Sequence, residues 1–332
     1  MRAYVVRRCG YAVLMLAITS VLVFALIQLP PGDYLSAYIA DLEAQGETVP
    51  ESRIEFLRER YGLNLPLYER YWIWASGLVV GDLGFSFEHE APVADLIGDS
   101  FLLTLVVNFA AVIFVYVVAF PIGVYTGARQ YSVGDYGFSL LSYIGIATPN
   151  FLLALIFLYF ANLWFGVSIG GLMAPEYLDQ DWSLAKVGSV LQHLAVPVLI
   201  IGTAGTAEIT RTLRANLLEE LSKPYVVTAR AKGLSERRLL LKYPVRAALG
   251  PMVADIGSLL PRLVSGSVIV SAVMSLPTIG PLLLRALQAQ DYNVAGAILM
   301  FLAVLIVIGM LISDLVLGLL DPRIRLGGGA SR

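Results

Sequence analysis

Residues 225–246, YVVTARAKGLSERRLLLKYPVR, hold six lysines and arginines against one acid, Glu236. A loop that only had to join two helices could be shorter and plainer. The punctuation sharpens that point. Pro224 can open a helix, where its missing N–H costs nothing. Arg230 and Lys232 then fall in the last turn, where cations suit the helix dipole. Gly233 is the expected left-handed stop, and Ser235 is a candidate N-cap for a second helix with Glu236 in its first turn. That second helix is expected to continue through RRLLLKYPVR with a kink near Pro244. A loop that only fixes topology would explain the charges but not the order helix, glycine, serine, helix.

Other ionisable residues fall inside apolar stretches, where they are costly and therefore functional candidates. Asp255 and Arg262 are seven apart and share a helix face. They could line a polar path, with Ser265 and Ser267 adding polarity, or they could form an ion pair or subunit contact. The two serines could equally bond to backbone carbonyls. Glu208 and Arg211, three apart, read as a local pair. Asp314 and Asp321 read as contacts at the inner end of the last span. His89 and His193 are the only histidines, 104 positions apart, and Cys9 is the only cysteine. A metal or disulfide site is not expected. The dipeptide Gly-Lys is absent from the sequence, so the phosphate-cradling loop G-x-x-x-x-G-K-[ST] is too. The chain is read as no enzyme, and as carrying no cofactor of its own.

The elements that must position these residues follow from composition. Of 332 residues 58% are hydrophobic and 14% charged, against about 25% charged in soluble domains. Runs near 20 apolar residues span a bilayer's hydrocarbon, and lipid satisfies backbone polar groups only in helices or closed barrels. The fold class expected is an all-α integral membrane protein with six transmembrane helices. They fall at about 11–30, 98–124, 138–165 (containing Pro149), 194–212, 252–275 and 294–318. The fourth contains Pro197, and its Gly202, Ala204, Gly205 and Ala207 suggest close helix packing. A cleaved signal peptide is the alternative for the first span, but only QLPPGD follows it.

Most Lys and Arg residues fall in the segments that face the cytoplasm if both termini do, while 33–99 carries 13 acids and four bases. That bias sets the orientation, with N- and C-termini inside. The chain then divides into an N-terminal span (1–32), an external segment (33–97), a core (98–318) with its loop at 222–250, and a tail (319–332). Short helices are expected in the external segment. ESRIEFLRERYGL puts Ile54, Leu57 and Tyr61 on one stripe, and YERYWIWASGLVV suits an interfacial belt. Trp72, Trp74, Trp164 and Trp182 read as interface anchors. The second external loop, 166–192, reads as irregular with one short helix.

YVVTARAKGLSERRLLLKYPVRAALGP resembles the cytoplasmic EAA loop of ABC importer permeases, in the form of the oligopeptide, dipeptide and nickel family. GDLGFSF (81–87), Thr104-Leu105, SLPTIGPLLLRAL (275–287) and DPRIR (321–325) agree in order, so the resemblance covers nearly the whole chain. It implies the type I ABC importer permease fold and a half-channel working by alternating access. It also implies a coupling helix for a cytoplasmic ATPase, carried here by Thr228, Ala229, Arg230, Ala231, Lys232, Gly233 and Ser235. ATP and Mg would sit on two partner ATPase subunits. An external solute-binding protein, a second homologous permease subunit and membrane lipid complete the implied partners; nucleic acid is not among them. The implied cargo is an oligopeptide or dipeptide. Three departures keep oligosaccharides, glutathione, opines and nickel open: Ala272 where many peptide members carry Glu, Pro277-Thr278 where they carry Pro-Gly, and a segment 34–56 longer than expected of the peptide members. Outside this resemblance, a secondary transporter or a membrane-anchored scaffold are the alternatives.

Overall fold

The computed structural model describes residues 2–29, 35, 39, 50–60, 62, 64–166, 169–178 and 180–320. Thirteen helices of seven or more residues occur among them. Helix α1 is Arg2–Gln28, α2 Glu51–Arg60, α3 Leu67–Val80 and α4 Val93–Ala128. Then come α5 Val133–Ala147, α6 Asn150–Phe165, α7 Leu184–Leu221 and α8 Pro224–Ala231. The chain continues as α9 Glu236–Lys242, α10 Pro244–Ala254, α11 Ile256–Val273, α12 Ile279–Gln288 and α13 Tyr292–Leu320. Strands do not occur among the described residues; one isolated bridge joins Phe85 and Pro92. The described residues are thus all-α, as expected.

Among the described residues four helices are long and apolar enough to cross a membrane: Tyr4–Gln28, Val93–Ala128, Leu184–Leu221 and Tyr292–Leu315. The expected third span is two helices, α5 and α6, which bend by 103° and together would make a fifth. The cause lies at the joint. Pro149 lacks an N–H, and it holds Thr148 in extended backbone, φ −93° and ψ 119°. The expected fifth span is also interrupted, at Asp255, which ends α10 and precedes α11. The fourth is far longer than 194–212: Pro197 sits inside a continuous 38-residue helix that starts at an N-cap, Ser183 Oγ accepting from Lys186 N–H.

Two compact units divide the chain, Met1–Arg7 with Thr104–Pro277 and Ile308–Arg332, and Arg8–Leu103 with Thr278–Val307. In the first, α7 is the central helix. Gly202 faces Phe114 and Gly205 faces Val115 and Leu259 so closely that a Cβ would lie 2.6 Å and 3.2 Å from them. The small residues of α7 thus do what small residues do in membranes, bringing backbones together.

In the second unit, Phe24, Tyr71 and Trp74 pack together, and Val93, Ile97, Ile279, Leu283 and Ile298 form a neighbouring core. Trp74 corrects the interface-anchor reading. It is 9% exposed and its ring faces Gly296, whereas Trp72 is 72% exposed. The GDLGFSF segment wraps the head of α13. Asp291, fully buried, accepts from Ser86 Oγ at 2.6 Å, Phe87 N–H at 3.0 Å and Glu88 N–H at 3.3 Å.

The expected external helices are present as α2 and α3, although Leu57 and Tyr61 lie outside the described side chains. Of the second external loop, expected over 166–192, the described residues up to 183 hold one 3-10 turn, Pro175–Tyr177, whereas 184–192 already belong to α7. DPRIR and Asp321 lie outside the described residues. Asp314 offers its carbonyl to Tyr4 Oη at 3.1 Å.

Candidate functional site

Between α7 and α10 the chain folds into a hairpin of two short helices. The entry is fixed by Glu220, whose carboxylate accepts from Lys223 Nζ at 2.6 Å and from Tyr225 Oη. Pro224 takes the first helical position of α8. At the other end Gly233 has φ +80°, and its N–H donates to Arg230 O while Leu234 N–H donates to Ala229 O. This is the Schellman arrangement, which needs a left-handed residue where Gly233 stands.

Ser235 occupies the N-cap of α9 in extended backbone, but its side chain makes no capping bond. Beside this uncapped start stands an ion pair. Arg230 Nε and Nη2 donate to the two oxygens of Glu236 at 2.5 Å and 3.0 Å. Arg230 holds the Glu236 carboxyl below its ordinary value. The second helix does not kink at Pro244; it stops at Lys242, and Pro244 opens α10.

Beneath this clasp the hairpin has its own small core. Val226, Ala229 and Leu239 are buried, with Leu234 and Tyr243 packed against them. Ala229 therefore belongs to the support of the turn. Thr228, Arg230, Ala231, Lys232, Gly233 and Ser235 are exposed, as are Arg237 and Arg238. The result is a packed knob carrying five exposed cations, Lys242 included.

A second polar group lies in the same unit. Arg262 donates to Glu208 at 2.6 Å and to Asp255 at 2.7 Å. Glu208 was expected to pair with Arg211; it reaches across to α11 instead. The reason is the close approach of Gly205 and Leu259: one turn on from each lie Glu208 and Arg262. The side chains of Glu208, Arg262 and Asp255 stay 42%, 42% and 30% exposed. Ser265 is exposed, while Ser267 is 5% exposed and donates to Val264 O at 2.8 Å. Ser267 is thus part of the helix packing, where Asn108 also approaches it at 3.5 Å.

Sequence reasoning missed Asp135. This residue of α5 is 2% exposed and receives Arg214 of α7 in a fork, Nε at 2.7 Å and Nη2 at 2.9 Å. The available signal was Ser132-x-x-Asp135 ahead of an apolar run, a capping-box pattern. Ser132 does accept from Asp135 N–H.

Long apolar helices among the described residues, one of them running into a basic, glycine-turned hairpin, mark a membrane protein with an exposed polar projection. The chain belongs to the family of binding-protein-dependent transport system inner membrane components, whose model matches residues 119–326; the N-terminal model of the same family matches 1–108. It is a multi-pass inner-membrane protein of the kind that works with ATPase and binding-protein partners. It is 34% identical over 328 residues to the oligopeptide transport system permease protein AppB of Bacillus subtilis, covering 98% of this chain and 99% of that one. A putative peptide permease protein of Brucella ovis is 34% identical over 330 residues, 98% and 99% of the two chains. The glutathione transport system permease protein GsiC of Escherichia coli is 31% identical over 322 residues, 97% and 98%.

Proposed function

We propose that the chain is the pore-forming subunit of an ATP-driven peptide importer and that its 224–242 hairpin is where the motor pushes. Peptide cargo is supported by two of the relatives above, named for oligopeptide and peptide transport. The hairpin carries the reading because it has its own core and ion pair yet presents Thr228, Arg230, Ala231, Lys232, Gly233 and Ser235 outward. A turn that flexed freely would absorb a push rather than pass it on.

Both termini and the hairpin face the cytoplasm, which follows from the Lys and Arg bias of the segments. Two ATPase subunits hold ATP and Mg; this chain performs no chemistry on them. A second, homologous permease subunit completes the channel, and an external binding protein delivers the peptide. The motor changes shape on binding ATP, and it drives the channel only if the hairpin binds its two shapes with different free energy. Arg262, with Glu208 and Asp255, forms the polar part of the path, and Ser265 lies one turn along α11.

The test is Gly233→Val in the assembled transporter, reconstituted in vesicles with its binding protein. A branched side chain at φ +80° is a true conformational outlier. Uptake of a labelled dipeptide is expected to fall to background while the chain still inserts. Normal uptake would overturn the docking role.

A further inference from the structure

The last stretch of α7 before the hairpin, Leu213–Leu221, is gripped from two sides. On one side lie Gly123 and Gly127 of α4. A Cβ there would stand 2.9 Å from the Leu213 side chain and 2.8 Å from that of Leu217. Such greasy contacts let helices approach, but dispersion is not directional, so they leave register weakly fixed.

On the other side is the Asp135–Arg214 fork. The same carboxylate accepts Tyr131 N–H at 2.9 Å and Ser139 Oγ at 3.4 Å. Tyr131, 70% exposed, is thereby held at φ +65° in the turn between α4 and α5. A non-glycine residue there stores strain and persists only when its surroundings hold it.

Asp135 is buried while the Arg214 side chain is 28% exposed, and an ion pair so placed is weak evidence for stability, because desolvation offsets much of the attraction. A bidentate fork does supply geometry, since guanidinium and carboxylate meet in one plane and one register. We propose that Asp135 and Arg214 form the joint that passes the hairpin's displacement from α7 to α5 and to the Arg129–Ser132 turn. They are positioning residues for coupling, and they contact neither cargo nor nucleotide. The inference rests on the hairpin being the motor's dock.

The test uses the complete transporter in vesicles with its binding protein, comparing wild type, Asp135→Asn, Arg214→Lys and the exchange Asp135→Arg with Arg214→Asp. Arg214→Lys keeps the charge and loses the fork, so it remains informative if Asp135→Asn fails to accumulate. Copurification of the ATPase is expected to be unchanged in the single variants. ATP hydrolysed per dipeptide imported is expected to rise about tenfold, within the span of ordinary coupling energies. The exchange is expected to bring that ratio back toward wild type.

A wild-type ratio in both single variants would overturn the joint. So would uptake and hydrolysis falling together in proportion to the amount of inserted protein, which is what a purely structural pair would give. Failure of the dock itself looks different: Gly233→Val would import normally whatever the ratio in the fork variants.

Discussion

Arg230 and Glu236 stand six residues apart on different helices and are joined across Gly233 by two hydrogen bonds of 2.5 Å and 3.0 Å. The pair closes the hairpin over Val226, Ala229 and Leu239, so the turn is fixed by charge above and by packing below. The two short helices are thereby tied to each other on both faces of the turn.

The left-handed turn gives a graded series at position 233. No atom lies within 4 Å of where a Cβ would be, so backbone strain alone separates the variants. Asn tolerates this region best and Ala costs about 1–2 kcal/mol. The expected order of dipeptide uptake is Gly, Asn, Ala, then Val. Uptake that tracked side-chain volume in another order would point to a steric cause instead.

Acid should weaken the clasp and alkali should not. The folded Glu236 carboxyl lies below its ordinary value because Arg230 hydrogen-bonds the charged form. Its contribution is therefore fully present above the ordinary carboxylate range and is lost as pH falls through the depressed value. Being exposed, the pair is screened and its contribution small. ATPase copurification with the wild type is expected to be flat from about pH 6 to pH 8. In Glu236→Gln the loss should be the same at every pH in that range; a slope appearing only in the wild type would contradict the assignment.

Asp291 should hold the 81–92 segment in place. Hydrogen bonds to a charged group contribute about 1.5–3 kcal/mol each where they are buried, and Ser86 and Phe87 both donate to it. Asp291→Asn is expected to lower the melting temperature in detergent and to open 81–92 to protease. Unchanged cleavage would show that the segment is held by Phe87 and Tyr292, whose rings meet at 4.9 Å.

Gly296 should resist any side chain. A Cβ would lie 3.0 Å from the Trp74 ring, and overpacking a well-filled core costs about 1–3 kcal/mol. Gly296→Val is expected to destabilise, and Trp74→Phe in the same chain should recover part of the loss because a smaller ring leaves room. Full additivity of the two losses would mean that they do not meet.

The hairpin was legible because its signals are local: a proline at the first position, a glycine at the stop, cations in the last turn. The spans were legible as apolar runs, but not their breaks, since Pro197 leaves α7 intact while Pro149 separates α5 from α6. Both prolines look alike in a window of hydropathy; the difference lies in the residue before each, extended at Thr148 but helical ahead of Pro197. Trp74 was misjudged for a related reason. Its neighbour Trp72 has the same surroundings in sequence, and only Gly296, 222 positions away, makes room for one ring and not the other. The Glu208–Arg262 and Asp135–Arg214 pairs are 54 and 79 residues apart, and no periodicity joins residues at such separations.

Site-specific crosslinking from the hairpin tests the central claim most directly. Cys9 is the only native cysteine and is exposed, so Cys9→Ser with Lys232→Cys gives a single thiol for a short photoreactive probe. In the assembled transporter the probe is expected to join this chain to an ATPase subunit, with a yield that changes between the ATP-bound and ADP-bound states. No adduct with the ATPase in either state would contradict the account, and so would the same yield in both.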